Sequence, residues 1–334
     1  MAPMPGAKRR LDLFERMLRI RRFEEAIIHI APRHPYIGRQ HLCVGHEATA
    51  GSVGIATKRG DIGHTTHRNH GYMIGRGVDP GKALAEVLGR SGGTNGGRGG
   101  PWHITDTSKG FLSTSAMVGG SIGLGVGAAF AFKRAGKKAV SVAHFGDGTL
   151  DEGITYEALN LASIFELPIL FLCENNAKEG QRPSSMLAAK RLADVPKGLS
   201  IRSKVVDGRD AETVLKAVSS AIRRIRRDGK PYYLQADLER WPGSHATKPA
   251  FVTGVTDVSL AWEEGRISGE HADWTRDHDV IRRFTMTLLA NGDAAKEDLL
   301  AIDTRVGAKM EAAISSAEAS PFPAPESALN GAYA

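Results

Sequence analysis

The stretch 140–176 constrains the fold of this chain more than any other. It begins with a short apolar run, rich in β-branched residues, that ends at Gly146-Asp147-Gly148. Such a run is typical of a buried strand followed by a tight turn. Apolar residues then recur at helical spacing up to Leu167, and a second apolar run ends at Asn175. A strand, a helix and another strand within one sheet predict a parallel crossover.

The predicted crossover brings the ends of its two strands together. Parallel strands finish at the same sheet edge, where ligands bind, so we expect Asp147 and Asn176 to converge. A carboxylate and an amide are oxygen ligands suited to Mg²⁺, which also takes phosphate oxygens. Gly146 and Gly148 let the backbone approach a diphosphate closely, and the next helix N-terminus favours negative charge. The alternative is a plain turn in which Asp147 caps that helix.

A Gly-Asp-Gly turn followed about thirty residues later by Asn-Asn resembles the thiamine diphosphate motif. The flanking residues also match, through Glu157-Ala158-Leu159-Asn160, Leu167-Pro168 and Cys173-Glu174. With them, the chain resembles the α subunit of the E1 component of 2-oxo acid dehydrogenase complexes. That family includes the pyruvate, branched-chain and acetoin enzymes. The resemblance extends over residues 11–241 and runs through several motifs in the family's order.

The resemblance implies an α/β fold with a mainly parallel sheet flanked by helices, the thiamine diphosphate-binding fold of the diphosphate-binding type. We expect one domain over residues 11–319, with flexible tails at 1–10 and 320–334. The region 113–133, rich in glycine and alanine, is expected to pack closely, here against a partner subunit. A C-terminal helical region is expected over residues 280–319.

Composition and charge exclude several classes of protein. The 334 residues are 41% apolar and 24% charged, which is ordinary for a globular protein with a sizeable core. No apolar run approaches the ~18 residues of a membrane span, and the first residues lack the apolar region of a secretory signal. We therefore expect a cytoplasmic protein. The formal charge of +7 is compatible with several kinds of partner. The arginine pairs lack interleaved aromatic residues, which favours a solvated face or an acidic partner over nucleic acid.

Two further segments resemble family motifs that contain histidine and arginine. Residues 38–48 match Gly-x-x-His-Leu-x-x-Gly-Gln-Glu-Ala, which places His41 on a family active-site histidine and His46 where the family has glutamine. The segment that follows residue 66 resembles Tyr-Arg-(Asp or Ala)-His-Gly. There Arg68 resembles the arginine that reaches the cofactor diphosphate, His70 resembles an active-site histidine, and His67 replaces the tyrosine.

Other interpretations of these histidines are open from the residues alone. His64, His67 and His70 are spaced three residues apart, and such a cluster can bind a metal. The glycines on either side argue for a strand end and a loop rather than one helical face, and no cysteine is near. We favour the family interpretation over a metal site. For His41, a loop histidine bonded to backbone is the alternative.

The resemblance implies two more contacts with the cofactor and one more with the metal. Val118 and Gly119 match the family's Ile-Val-Gly, in which an apolar residue props the thiamine in its bent form. Plain core packing explains the same residues equally well. After Asn176 the family has an aromatic residue whose carbonyl binds the metal, and here that position is Lys178. The implied metal ligands are Asp147, Asn176 and the Lys178 carbonyl.

The loop after the last predicted strand departs most from the family. The family has Tyr-Arg-x-x-Gly-His there, with its arginine and histidine over the cofactor. In this chain Arg240 takes the arginine's place, Ser244 the histidine's, and His245 follows one step later. Either the loop shifts by one residue and His245 serves, or the catalytic histidine is absent. The candidate catalytic residues are His41, His70, Arg240, Ser244 and His245.

The resemblance implies decarboxylation of a small 2-oxo acid that depends on thiamine diphosphate and Mg²⁺. The chain would be the α subunit of a heterotetramer of two α and two β subunits that passes an acyl unit to lipoyl-bearing E2. In the family, the β subunit supplies the glutamate that protonates the aminopyrimidine. One alternative is an E1-like carboligase that joins the decarboxylated fragment to an aldehyde or ketone, which the altered loop favours. Another is a non-catalytic subunit, which Asp147, Asn176 and Arg68 argue against.

Overall fold

The computed structural model describes residues 6–176, 188–244, 250 and 255–330, so the candidates Lys178 and His245 lie outside the described residues. The strands are β1 (Ile62–Thr66), β2 (Phe111–Ser115), β3 (Ser141–Gly146), β4 (Ile169–Asn175), β5 (Arg202–Asp207) and β6 (Tyr232–Asp237). The helices are α1 (Ala7–Ile30), α2 (Glu47–Ala56), α3 (His70–Gly75), α4 (Pro80–Val87), α5 (Gly120–Arg134), α6 (Gly153–Ile164), α7 (Asp194–Gly198), α8 (Ala211–Asp228), α9 (Ala272–Asp277), α10 (Val280–Ala290) and α11 (Lys296–Ala319).

All six strands form one parallel sheet in the order β2-β1-β3-β4-β6-β5. Strands β3 and β4 are neighbours, with Ser141 opposite Ile169 and Gly146 opposite Glu174. Helix α6 connects them, so the predicted strand, helix and strand form the expected crossover. Both strands are buried along nearly their whole length, as expected for parallel strands covered on both faces. The structure confirms the predicted α/β fold.

The sheet separates two apolar cores. On one side, Val142, Leu170 and Leu172 pack with residues of α1, α2, α8, α10 and α11. On the other side, Phe145 and Phe171 pack with residues of α5 and α6. Successive side chains of a strand point to opposite faces, so these central strands contribute to both cores at once.

The structure divides two of the predicted regions and extends the first helix. Region 113–133 is divided into the end of β2 and helix α5, because Gly119 takes a φ of +85° before the helix. Region 280–319 is two helices, separated by a turn at Gly292. The proposed tail of residues 1–10 overlaps α1, whose Arg10 forms ion pairs with Glu212 and Asp293.

The segment that follows α11 packs on the glycine-rich loop after α4. The Ser91 amide donates to the Pro321 carbonyl at 2.9 Å, and the Arg90 guanidinium lies 3.8 Å from the centre of the Phe322 ring. Arg98 donates to the carbonyl oxygens of Ser327 and Asn330. The first part of the expected C-terminal tail therefore contacts the domain. Among the helices of the described ranges, none is long and apolar enough to cross a membrane.

A buried arginine joins α1, α2 and the start of α10. Arg21 is fully buried, and it donates to the Glu47 carboxylate at 2.6 Å and to the Asp279 carboxylate at 2.9 Å. We expect Arg21→Met to lower the free energy of unfolding by about 3–5 kcal/mol, because two buried carboxylates lose their cation. Urea denaturation measures the loss.

The matched control is Arg227→Met, which removes an exposed arginine paired with Asp228. Its effect should be small beside that of Arg21→Met, because water and salt screen an exposed ion pair. Similar losses in the two variants would show that the buried arrangement around Arg21 adds nothing beyond an ordinary surface pair.

Candidate cofactor and metal site

The carboxyl ends of four neighbouring strands surround a cavity of about 200 Å³. The residues that line it come mostly from the segments after β1, β2, β3 and β4. They are His46, Thr66, His67, Arg68, Ser115, Met117, Val118, His144, Gly146, Asp147, Gly148, Thr149, Glu174, Asn176 and Arg240. Nine predicted site residues are thereby placed in or beside one cavity, counting Gly119 next to Val118.

Asp147 and Asn176 lie at this cavity because β3 and β4 pair in register. Their oxygens provide a hard donor set that suits Mg²⁺. A Cβ atom added at Gly148 would meet no other atom within 4 Å, so the turn borders open space. The expected convergence of the turn and the second strand end is therefore seen, and the donor set and the open turn fit a diphosphate with its metal.

Two arginines supply positive charge to the same cavity. Arg68 is only 7% exposed, and burial lowers the pKa of its guanidinium. It donates to the Leu42 carbonyl, but within the described ranges no carboxylate lies at ion-pair distance from it. A buried cation of this kind is stabilised by an anion, and the fork of a guanidinium suits phosphate oxygens. Arg240 reaches the cavity from the loop after β6.

The rings of His41 and His67 meet at one side of the cavity. Their centres are 4.4 Å apart, and Trp102 lies 5.6 Å from His41. Burial, together with nearby positive groups, lowers the pKa of His41 to about 4 and that of His67 to about 3. Both rings are therefore neutral near pH 7. In the described part of the chain no hydrogen bond holds the His41 ring to backbone, so the alternative of a structural loop histidine gains no support.

His70 does not line the cavity. Its ring is completely buried, with Nε2 3.0 Å from the Pro101 carbonyl oxygen and Nδ1 3.2 Å from the Glu24 carboxylate. The motif identified the residue but not the direction of its side chain. Its assignment as an active-site histidine stays a prediction.

The loop after β6 contains two described candidates, and only one of them lines the cavity. Arg240 lines the cavity, whereas Ser244 does not. The Ser244 amide donates to the Trp241 carbonyl at 3.0 Å, and its buried hydroxyl has no partner among the described residues. The following histidine is outside those residues, so the choice between Ser244 and His245 stays open.

Val118 lines the cavity, and Gly119 follows it at the start of α5. Val118 is 48% exposed and borders the cavity, so the alternative of plain core packing does not describe it. Gly119 has a φ of +85°, and a Cβ atom there would lie 2.5 Å from the Ile154 side chain. Only glycine fits this position without strain.

Sequence reasoning missed a buried carboxylate beneath the cavity. Glu174 accepts hydrogen bonds from His46 Nδ1 at 2.6 Å, His144 Nε2 at 2.7 Å and the Tyr72 hydroxyl at 2.9 Å, and also from the Thr49 hydroxyl. Burial acts to raise the pKa of Glu174, but His46 and His144 hold it well below its usual range. The available signal was a glutamate within a buried strand, beside Asn175 and Asn176.

Comparison with known proteins agrees with this geometry. Residues 15–326 match the family model described as the dehydrogenase E1 component. The chain belongs to that family. The α subunit of acetoin:2,6-dichlorophenolindophenol oxidoreductase from Cupriavidus necator is 34% identical over 324 residues, which cover 97% of this chain and 93% of the relative. The α subunit of the pyruvate dehydrogenase E1 component from Zymomonas mobilis is 31% identical over 333 residues, which cover 98% and 90%.

A second acetoin:2,6-dichlorophenolindophenol oxidoreductase α subunit, from Bacillus subtilis, is 33% identical over 97% of this chain and 93% of its own length. These matches confirm the prediction of an E1 α-like subunit. The function of an E1 subunit in thiamine diphosphate-dependent decarboxylation of a 2-oxo acid is confirmed with it.

A buried histidine behind the cavity predicts how stability changes with pH. His64 on β1 is 3% exposed, with Nδ1 2.8 Å from the Ser113 hydroxyl, and burial lowers its pKa to about 4. The unfolded chain takes up this proton below about pH 6.5 and the folded chain only below about pH 4. The contribution of His64 to the free energy of unfolding is therefore fully present above pH 6.5 and is lost as the pH decreases towards 4.

Urea denaturation between pH 7 and pH 4 tests this dependence. His64→Gln should reduce the slope by up to about 1.4 kcal/mol per pH unit, which corresponds to one proton. His29→Gln, at an exposed position, is the control and should leave the slope unchanged. An unaltered slope in the His64 variant would mean that this ring titrates alike in both states.

Proposed function

We propose that this chain is the α subunit of an E1 enzyme, assembled from two α and two β subunits, that uses thiamine diphosphate and Mg²⁺ to decarboxylate a small 2-oxo acid. The observation that carries the proposal is the cavity where Asp147 and Asn176 adjoin Arg68. Oxygen ligands beside a buried arginine suit a divalent cation that bridges to a diphosphate. Cytoplasmic location and transfer of the acyl unit to lipoyl-bearing E2 belong to the same proposal.

Each residue then has a separate task. Asp147 and Asn176, together with the carbonyl of Lys178, would hold Mg²⁺. Arg68 would donate to the diphosphate, and the backbone of Gly146 and Gly148 would lie against it. When bound, thiamine diphosphate supplies a nucleophilic ring carbon and an electron sink for decarboxylation.

The cavity wall would orient the cofactor and the substrate. Val118, half exposed at the wall, would prop the bent cofactor, with Gly119 giving the backbone room to turn. His41 and His67, both neutral near pH 7, can donate or accept a hydrogen bond where the substrate enters. Arg240 can bind the substrate carboxylate or the diphosphate. His70, buried behind them, can act only through its neighbours.

The carboxylates that line the cavity are an argument for a β subunit. Two carboxylates line it, Asp147 and Glu174, and the second already accepts four hydrogen bonds. With Asp147 assigned to the metal, no described carboxylate in the lining is available to protonate the aminopyrimidine. We therefore propose that the β subunit supplies that acid.

An exposed apolar face supports the same partner. The helices α5 and α6, which begin shortly after the cavity residues Val118 and Thr149, expose large apolar side chains, including Leu124, Phe130, Leu161 and Ile164, the last 65% exposed. Glycines at 123 and 127 leave room on α5 for close packing, since a Cβ atom at Gly127 would meet nothing within 4 Å. Large exposed apolar patches mark interaction sites, and the two helices that carry this one begin at segments that line the cavity.

Calorimetric titration tests the site and the partner together. Thiamine diphosphate with Mg²⁺ is titrated into the chain alone and then into the chain with its candidate β subunit. We expect tight binding only with the β subunit, because the site is completed at the subunit interface. Asp147→Ala should abolish the Mg²⁺-dependent binding, since the main anionic ligand is gone.

The control is Asp151→Ala, which removes a carboxylate of the same turn that does not line the cavity, and its affinity should equal that of the unaltered chain. Unchanged affinity in the Asp147 variant would show that the site is elsewhere. No binding with or without the β subunit would favour a structural subunit.

A carboligase is the second candidate, because the unshifted alignment puts Ser244 in the family histidine's place, and the Ser244 hydroxyl is buried and does not line the cavity. The assembled enzyme is given a 2-oxo acid with either a lipoyl acceptor or an aldehyde, and reduced lipoyl groups and ketol products are measured. Reduced lipoyl groups indicate an E1 dehydrogenase, and ketol products alone indicate a carboligase. Since two relatives are named for acetoin, acetoin is tested as a substrate as well.

The same assay identifies the loop residue. If the loop is shifted by one residue, His245→Ala should lower turnover more than Ser244→Ala. The opposite order would support the unshifted alignment.

A further inference from the structure

His46 lies between the buried carboxylate and the cavity. Its side chain is 1% exposed in a position where the family has glutamine. Nδ1 is 2.6 Å from Glu174 Oε2, and Nε2 is 3.3 Å from Nδ2 of Asn176. The imidazole therefore connects a carboxylate with a proposed metal ligand.

The hydrogen bonds fix which nitrogen of His46 carries the proton. The hydroxyls of Tyr72 and Thr49 donate to Glu174. A carboxylate offers only acceptors, so the ring nitrogens of His46 and His144 that contact it must be donors. His144 donates from Nε2, and its Nδ1 lies 2.7 Å from the Thr65 hydroxyl, which donates to it. His46 must therefore donate from Nδ1, which leaves Nε2 as an acceptor.

An acceptor at Nε2 determines the orientation of the Asn176 amide. The amide has one donor side, Nδ2, and one acceptor side, Oδ1. Nδ2 donates to His46, so Oδ1 is the atom left for a cation. If the amide were reversed, two lone pairs would face each other at His46 and the NH₂ group would face the metal.

We propose that His46, held by Glu174, is a positioning residue that keeps the oxygen of Asn176 directed to Mg²⁺. This inference rests on the proposed function, since it assigns Asn176 to the metal. It also explains why histidine can stand at position 46, where the family has glutamine. A glutamine can donate from its NH₂ group to Glu174 and accept from Asn176 with its oxygen, which reproduces the polarity of the imidazole.

The experiment measures the Mg²⁺ concentration that half-saturates thiamine diphosphate binding, with the chain assembled with its β subunit. His46→Leu removes the donor and the acceptor and should raise this concentration at least tenfold, as loss of an outer partner of a metal ligand commonly does. His46→Gln should stay within about threefold of the unaltered chain, because the polarity is preserved. At saturating Mg²⁺, the leucine variant should recover most of its affinity for thiamine diphosphate, which a general collapse of the site would prevent.

A second background separates orientation from packing. In Asn176→Asp, both side-chain oxygens can bind the cation, so orientation matters less. Adding His46→Leu to that background should change the Mg²⁺ requirement less than threefold. A tenfold effect that persists there, a glutamine variant as weak as the leucine variant, or a leucine variant without effect would each overturn the inference.

Nitrogen-15 spectra of the unaltered, histidine-labelled protein report which ring nitrogen carries the proton. This measurement does not depend on whether a variant folds. The spectra should show the His46 proton on Nδ1, and a proton on Nε2 would contradict the inference. The two proposals fail differently. Absence of Mg²⁺-dependent binding in the unaltered enzyme overturns the proposed function, whereas normal binding that the His46 variants do not alter overturns only the positioning role.

Discussion

The parallel pairing of β3 with β4 is the constraint on which the site depends. Its register places Gly146 opposite Glu174, so the turn that begins at Asp147 and the amide of Asn176 follow the two strand ends side by side. Apolar residues on both faces of these strands fix that register, because a shift by one residue would turn Phe145 and Phe171 away from their core. The packing of the sheet interior thus sets the geometry of the proposed ligands.

The buried polar groups below the cavity add a second constraint. An unpaired buried donor or acceptor costs about 1–3 kcal/mol, so a carboxylate inside the sheet is tolerated only when its neighbours satisfy it. Glu174 has four donors drawn from α2, α3, β3 and the residue before α2. The network therefore holds these elements together at the floor of the cavity, and its fixed donor directions extend to the cavity surface.

The sequence predicted what local patterns determine. Alternation of strand and helix between 140 and 176, and the residue types at the strand ends, sufficed for the crossover and for Asp147 near Asn176. The link between His46 and Glu174 spans 128 positions and arises only in the folded chain, so no local pattern reveals it. For His70 the motif supplied the residue, but the direction of its ring follows from Glu24 on α1 and from Pro101.

The charges at the proposed site would make the metal and the diphosphate assist each other. Asp147 alone would repel a diphosphate, and Arg68 alone would repel Mg²⁺, so neither ligand gains the full attraction of the site by itself. With both bound, each would gain attraction from the opposite charges of the other and of the site, and the coupling would be equal in the two directions. Burial strengthens these interactions, because water screens Arg68 poorly at 7% exposure. An amide beside Asp147, rather than a second carboxylate, limits the negative charge that the diphosphate must face.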